Sequence, residues 1–219
     1  TGAEKLELPS VQVIDDLAQA KAVDAILFCV KLYDTEQAAS ILQPLLHEKT
    51  VVLTLQNGVE SSSRIAAVIG EGRTLAGAAY FAANVRAPGE IEYVGCSEGQ
   101  PHVAFGEPRA GASSRAQAIC EALTSSGISA RVSHDTELLL WEKFCMLAGG
   151  STATSLTRQS LGTVRGDADM RALLTSSIAE AAAVGRALGV ALDAGTEAKA
   201  LDKLDRMPAG TKASQLTDL

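Results

Sequence analysis

The chain has 219 residues, with 19 Lys plus Arg against 26 Asp plus Glu for a net charge of −7, 47% hydrophobic residues and 21% charged ones. That length suits one large domain or two small ones, and the apolar share excludes a disordered chain. An acidic chain without a Lys/Arg block lacks the basic footprint that nucleic acid or an anionic membrane requires of its main partner.

The first half alternates strand-like and helical stretches. Val11-Gln12-Val13-Ile14 reads as a strand and Asp15 to Ala22 as a short helix. Ala25-Ile26-Leu27-Phe28-Cys29-Val30 is a continuous apolar run, the pattern of a parallel strand covered on both faces. Asp34-Thr35-Glu36-Gln37 opens a helix that runs to Leu45, with Pro44 in its last turns. Thr50 to Leu55 is the next buried strand, Gln56-Asn57-Gly58-Val59 the loop after it, and Ser61 to Val68 a further helix. This rhythm predicts an open, mostly parallel, doubly wound sheet of the Rossmann type.

From Leu75 the pattern changes to extended segments, Leu75 to Val85, Glu90 to Val94 and His102 to Gly106, with Ala87-Pro88-Gly89 as a turn; these read as antiparallel strands added at a sheet edge. A helix at Ser113–Ser125 and a short strand at Ala130-Arg131-Val132 follow. Beyond residue 133 the pattern is helical: Thr136 to Ala148 carries Leu139, Leu140, Lys143, Phe144 and Leu147 at helical spacing, with later helices at Ala168–Leu188 and Ala194–Asp205. Residues 1–133 therefore read as an α/β unit and 134–219 as an all-α unit. Gly149-Gly150-Ser151-Thr152 interrupts the long helix with small residues, which suggests a kink.

A dinucleotide-binding sheet normally opens on a strand and a G-x-G-x-x-G turn at a helix N-terminus, where the pyrophosphate binds. The chain holds no such triplet; Gly70-Glu71-Gly72 is the nearest approach and follows a helix. Either the sheet binds no dinucleotide, or it is incomplete at its N-terminus. Cys29, Cys96, Cys120 and Cys145 form no C-x-x-C pair, which argues against a zinc motif or a disulfide scaffold and for a reducing cytoplasm. His47, His102 and His134 have no second ligand at metal spacing, so no metal site is expected. No apolar run spans a bilayer, and Thr1-Gly2-Ala3-Glu4-Lys5 does not read as a signal peptide.

Four segments carry a specific resemblance: Asp24 to Lys31 with Tyr33-Asp34-Thr35, Leu55-Gln56-Asn57-Gly58-Val59-Glu60, Trp141-Glu142-Lys143-Phe144, and Ser214-Gln215-Leu216-Thr217-Asp218. On them the chain resembles the ketopantoate reductases, two-domain enzymes of the 6-phosphogluconate dehydrogenase-like superfamily. The resemblance implies NADPH-dependent reduction of a 2-keto acid, 2-dehydropantoate or a related compound, in pantothenate biosynthesis. It also implies a cleft between the two units as the site, NADP(H) as cofactor, a glycine-rich turn upstream of these segments, and a homodimer as in many relatives with such helical domains.

The resemblance makes Lys143 the general acid, since a positioned ammonium both stabilises a developing alkoxide and donates its proton. Without it, Lys143 would read as a solvated helix lysine. Lys31 and Asn57 fall at the C-terminal ends of adjacent strands, where α/β sheets bind ligands. The resemblance assigns Val30, Lys31 and Asn57 to the cofactor crevice, with Asn57 also near the substrate; the residues alone read Asn57-Gly58 as an ordinary turn pair. Ser214 and Asp218 match a substrate-binding segment, in which Gln215 replaces a methionine, and the other reading is a polar helix start. Glu180 matches a glutamate near the family's active site or is a peripheral helix carboxylate. Leu147 and Ser151 stand where the family places asparagines; Ser151 keeps a polar group toward substrate, while Leu147 permits a bulkier or more apolar 2-keto acid. Gln56 and Glu60 read as caps of the following helix, and Cys145 as a buried, inert thiol. A non-catalytic NADP-binding sensor and a dehydrogenase of hydroxy acids or opines are the competing functions.

Overall fold

The computed structural model describes residues 6–95, 99–109, 111 and 113–217. In chain order the elements are β1 (Ala25–Phe28), α1 (Thr35–Ser40), β2 (Val51–Thr54), α2 (Ser61–Ile69), β3 (Thr74–Ala79), β4 (Ala82–Ala87), β5 (Glu90–Val94), β6 (Val103–Gly106), α3 (Ser114–Ser125), β7 (Ala130–Val132), α4 (Thr136–Thr157), α5 (Leu161–Gly166), α6 (Ala168–Ala187), α7 (Thr196–Arg206) and α8 (Ser214–Thr217).

Among the described residues, five strands form a sheet in the order β1-β2-β3-β6-β7, and β4 pairs with β5 in a separate ribbon. β1, β2 and β3 run parallel, so their C-terminal ends form one rim. β6 is antiparallel to β3 and parallel to β7. β2 is buried along its whole length, as its unbroken apolar run predicts. Phe28, Val52 and Ile65 pack with Ala39 on one face of the sheet; Leu53, Leu75 and Phe105 pack with Ala116 on the other.

Several expectations are corrected. Val11–Ile14 is not a strand, and Asp15–Ala22 holds only a 3₁₀ turn at Leu17–Gln19. Val11, Val13 and Ile14 are exposed, and no strand among the described residues pairs with them. β1 is an edge strand covered on only one face, with Phe28 buried and Leu27 50% exposed. The helix expected through Leu45 stops at Ser40, and a separate 3₁₀ turn, Gln43–Leu45, carries Pro44, whose ring and missing N–H oppose a continuous helix. The segment Leu75 to Val85 is two strands in different sheets, β3 extending the parallel set and β4 leaving at Tyr80-Phe81 to pair with β5. The ribbon is anchored by a triangle of rings, Phe81, Tyr93 and His102, with centroids 5.7 to 6.4 Å apart.

The helical part is built on α4. Asp135 accepts a hydrogen bond from the Leu138 N–H at 2.9 Å and so caps α4, and Asp167 caps α6 in the same way. Trp141, Cys145 and Ala153 of α4 pack with Leu174 and Ile178 of α6 and Leu204 of α7. α4 runs unbroken through Gly149-Gly150-Ser151-Thr152 to Thr157. Gly149 and Gly150 serve close packing: an added Cβ would lie 2.4 Å from the Ile178 Cγ1 at the first and 3.0 Å from the Leu204 Cδ2 at the second. α5, missed in the sequence, is a single short stretch whose signal is too brief for a periodic pattern. Leu140 of α4 packs against Ala76 and Ala78 of β3, which seats the long helix on the sheet.

Candidate functional site

The rim formed by β1, β2 and β3 positions the groups with chemical potential. β2 ends at Thr54, and the turn that follows needs a left-handed residue, supplied by Gly58 at φ 107°. This turn presents Asn57 at the surface. β3 ends at Ala79, whose carbonyl lies at the same rim. Across from both, α4 carries Lys143 two turns into the helix.

The Lys143 Nζ donates to the Asn57 Oδ1 at 2.8 Å and to the Ala79 carbonyl at 2.7 Å. It also lies 5.5 Å from the centre of the Tyr80 ring, within cation–π range. Burial pushes the Lys143 ammonium down from its ordinary value to about 8. Two acceptors favour the charged form, so the group is an ammonium at neutral pH with one N–H left over for a ligand. Burial also raises the Tyr80 phenol, which stays neutral there. The site thus holds a cation, an amide and a neutral phenol at the edge where α/β sheets bind ligands.

Of the residues singled out in the sequence, Lys143 and Asn57 meet directly. Val30 joins the rim through its carbonyl, which accepts from the Gln56 side chain at 3.0 Å. Lys31 is exposed at the start of the 3₁₀ turn Leu32–Asp34, just past β1. Leu147 and Ser151 follow Lys143 along α4 by one and two turns, both partly buried. Ser214 begins α8, which packs on α4, and its hydroxyl approaches the Gln215 Oε1 at 3.4 Å. Asp218 and Cys96 lie outside the described residues. Glu180 is exposed on α6, off that helix's buried face of Leu174, Ile178 and Ala181. Cys145 is fully buried and burial raises its thiol, which suits an inert residue.

Sequence reasoning missed three participants. The Ala79 carbonyl leaves no trace in side-chain identity. Tyr80 had a usable signal, an aromatic at the end of a strand beside the rim, but was read as the middle of a longer strand. Gln56 is not a helix cap: it is buried, and it accepts from the Thr54 hydroxyl and donates to Val30 and Thr35. Glu60 stands at the cap position of α2 but makes no side-chain capping bond. Among the described residues no group of His, Cys, Asp and Glu is arranged to hold a metal ion, and no helix is long and apolar enough to cross a membrane.

Comparison with known proteins converges on one family. Residues 2–108 match the model "Ketopantoate reductase PanE/ApbA", and residues 135–219 match "Ketopantoate reductase PanE/ApbA C terminal". A 2-dehydropantoate 2-reductase of Mesorhizobium japonicum is 29% identical over 196 residues, a match covering 80% of this chain and 59% of that protein. The chain therefore spans well under two thirds of that relative's length. The crystal structure of 2-dehydropantoate 2-reductase from Geobacter metallireducens shares the fold at a TM-score of 0.87 and 24% identity, over 96% of this chain and 69% of that one. A D-mandelate dehydrogenase, solved with NADH and anilino(oxo)acetate, shares it at a TM-score of 0.78 and 18% identity, over 93% of this chain and 65% of that one. With two family models covering both the sheet and the helices, this chain belongs to the ketopantoate reductase family.

Proposed function

We propose that the protein reduces a 2-keto acid, 2-dehydropantoate or a more apolar relative, to the 2-hydroxy acid, with NADPH as reductant and Lys143 as general acid. The single observation that carries this reading is the seat of the Lys143 ammonium between Asn57 and the Ala79 carbonyl at the strand rim.

The residues present fit one end of a nicotinamide cofactor. Asn57, Lys31 and the Val30 backbone stand together at the C-terminal ends of parallel strands, and the Asn57 amide has its N–H groups available for a neutral ring amide. The glycine-rich turn that would take the pyrophosphate is absent from this sequence, so these residues account for the nicotinamide end alone. When bound, the reduced cofactor supplies a hydride to the carbonyl carbon of the substrate.

Lys143 then supplies the other half of the balance. Its remaining N–H points to the keto oxygen, stabilises the charge that develops there and transfers the proton, leaving a neutral amine that solvent reprotonates. With a value of about 8, the group is charged at neutral pH yet donates far more readily than an ordinary lysine. Asn57 and the Ala79 carbonyl hold it in one orientation, which lowers the entropic cost of alignment. Ser214 and Ser151 are the proposed hydrogen-bonding groups for the substrate carboxylate and polar substituents. Leu147, one turn beyond Lys143, offers an apolar wall without a donor, which suits a 2-keto acid with an apolar substituent. In this reading Glu180, exposed on α6, is the peripheral helix carboxylate.

The same reading assigns residues 1–133 to the cofactor-binding unit and 134–219 to the helical catalytic unit of a cytoplasmic homodimer. The test is to mix the full protein carrying this chain with NADPH and a panel of 2-keto acids, and to follow absorbance of the reduced cofactor. Oxidation with at least one keto acid supports the proposal. Cofactor binding without oxidation supports a sensor, and turnover only with hydroxy acids or opines supports another dehydrogenase.

A further inference from the structure

Gln56 is a buried amide, 7% exposed, at the junction of the two loops that form the rim. Its Oε1 accepts from the Thr54 Oγ1 at 3.0 Å; its Nε2 donates to the Val30 carbonyl at 3.0 Å and to the Thr35 Oγ1 at 2.9 Å. Thr35 donates its own hydroxyl proton to the Leu32 carbonyl at 2.7 Å. These bonds allow one donor order only. A carbonyl cannot donate, so the amide nitrogen must face Val30; Thr35 has given its proton to Leu32, so it must receive one. The direction Thr54 to Gln56 to Thr35 to Leu32 is therefore fixed by chemistry. The next turn leans on the same place: a Cβ added at Gly58 would touch the Leu32 Cδ2 at 3.8 Å.

Burying an amide costs free energy that an apolar side chain would not, and a fully satisfied network returns it as a unique local arrangement. The arrangement made unique here is that of the Asn57-Gly58 turn against the loop after β1. We propose that Gln56 is a positioning residue for proton transfer, holding through this network the Asn57 side-chain Oδ1 at the point where the Lys143 ammonium docks. This rests on the reading of Lys143 as proton donor given above. The groups facing Lys143 are few: Asn57 from the loop after β2, and the Ala79 carbonyl and Tyr80 ring from the end of β3. Glu142, its neighbour on α4, and Arg131 of β7 both act on the Tyr80 phenol, with opposite signs, and Glu142 also lines a groove with Lys199 and Lys203 of α7.

The test uses the full protein with Gln56→Met, Thr35→Val and the double variant, and Thr74→Val as a control, since the Thr74 hydroxyl is buried without a partner at the opposite end of the sheet. Each single variant should lower kcat about tenfold with KM changed by less than about twofold, the cost of a small misplacement at a reacting group. The alkaline fall of kcat should move to lower pH, because a misplaced Asn57 withdraws one acceptor from the ammonium. The double variant should be no slower than the slower single, as expected of one connected chain. Should Gln56→Met fail to fold, Thr35→Val alone is judged by the same kcat and pH readouts. Wild-type kcat and pH profile in these variants, with only the melting temperature lowered, would overturn the proposal, as would a change confined to KM. Full turnover in Lys143→Ala would instead defeat the donor reading, independently of what Gln56 does.

Discussion

Lys143 and Asn57 stand 86 positions apart in the chain, yet the Nζ of one donates to the Oδ1 of the other at 2.8 Å. One belongs to the long helix and the other to the turn after the second strand, so the bond closes the site between the two halves of the chain. The consequences of that contact can be measured.

Replacing Lys143 with alanine removes the proposed proton donor while leaving the rim in place. In the full protein turnover should fall by roughly 10²–10⁴-fold, the usual contribution of a general acid, with cofactor affinity little changed. Steady-state kinetics and a cofactor titration check both parts, and a variant that turns over normally excludes Lys143 from the mechanism.

The pH dependence has a definite sign. If the Lys143 ammonium is the donor, its value of about 8 makes it available below that pH, so kcat should be level near neutrality and fall about tenfold per pH unit above pH 8. Stability moves in the opposite direction. The folded value lies below the ordinary 10.5, so between those two pH values the unfolded chain holds more protons and this group makes the fold more stable as pH rises. Denaturant titrations across that window should show the slope in the wild type and a flatter one in Lys143→Met.

Asn57 separates charge from alignment. Asn57→Ala removes a hydrogen bond to a charged group and should lower turnover by on the order of 10- to 100-fold, corresponding to about 1.5–3 kcal/mol. Asn57→Asp places a carboxylate beside the ammonium, raises its value and should move the alkaline fall of kcat to higher pH. A pH–rate profile that does not move in Asn57→Asp contradicts the contact.

Gly149→Ala tests whether the small residues of α4 serve packing or bending. The added methyl meets the Ile178 Cγ1 at 2.4 Å and the Leu174 carbonyl at 3.0 Å, neither of which is an exposed flexible end. The expected cost is about 1–3 kcal/mol of stability, typical of overpacking, read as a lower melting temperature. An unchanged melting temperature would show that α4 and α6 are not pressed together at this point.

Particular residues show how far the sequence reaches. Val51 to Thr54, Ser61 to Ile69 and Ala168 to Ala187 form the predicted elements within a residue or two, because unbroken apolar runs and helical spacing are local signals that burial then satisfies. Lys143 and Asn57 were identified through the motifs around them. Val11–Ile14 failed because a strand-like run of residues is not sufficient for a strand, which also needs a neighbour to pair with. For the glycines of α4 a local rule offers only flexibility, whereas the approach of α6 and α7 makes them spacers.

The amino-acid order by itself determined the sheet-then-helix plan, the core strands and the identity of the chemical groups, since these follow from patterns a few residues long. Only the tertiary structure decided that Ala79 lends its carbonyl, that Tyr80 stands beside the ammonium, that Gln56 ties two loops together and that Glu180 faces water. Those outcomes depend on how distant segments meet, and on the burial that brings a lysine down to about 8, a quantity that exists only once the chain has folded.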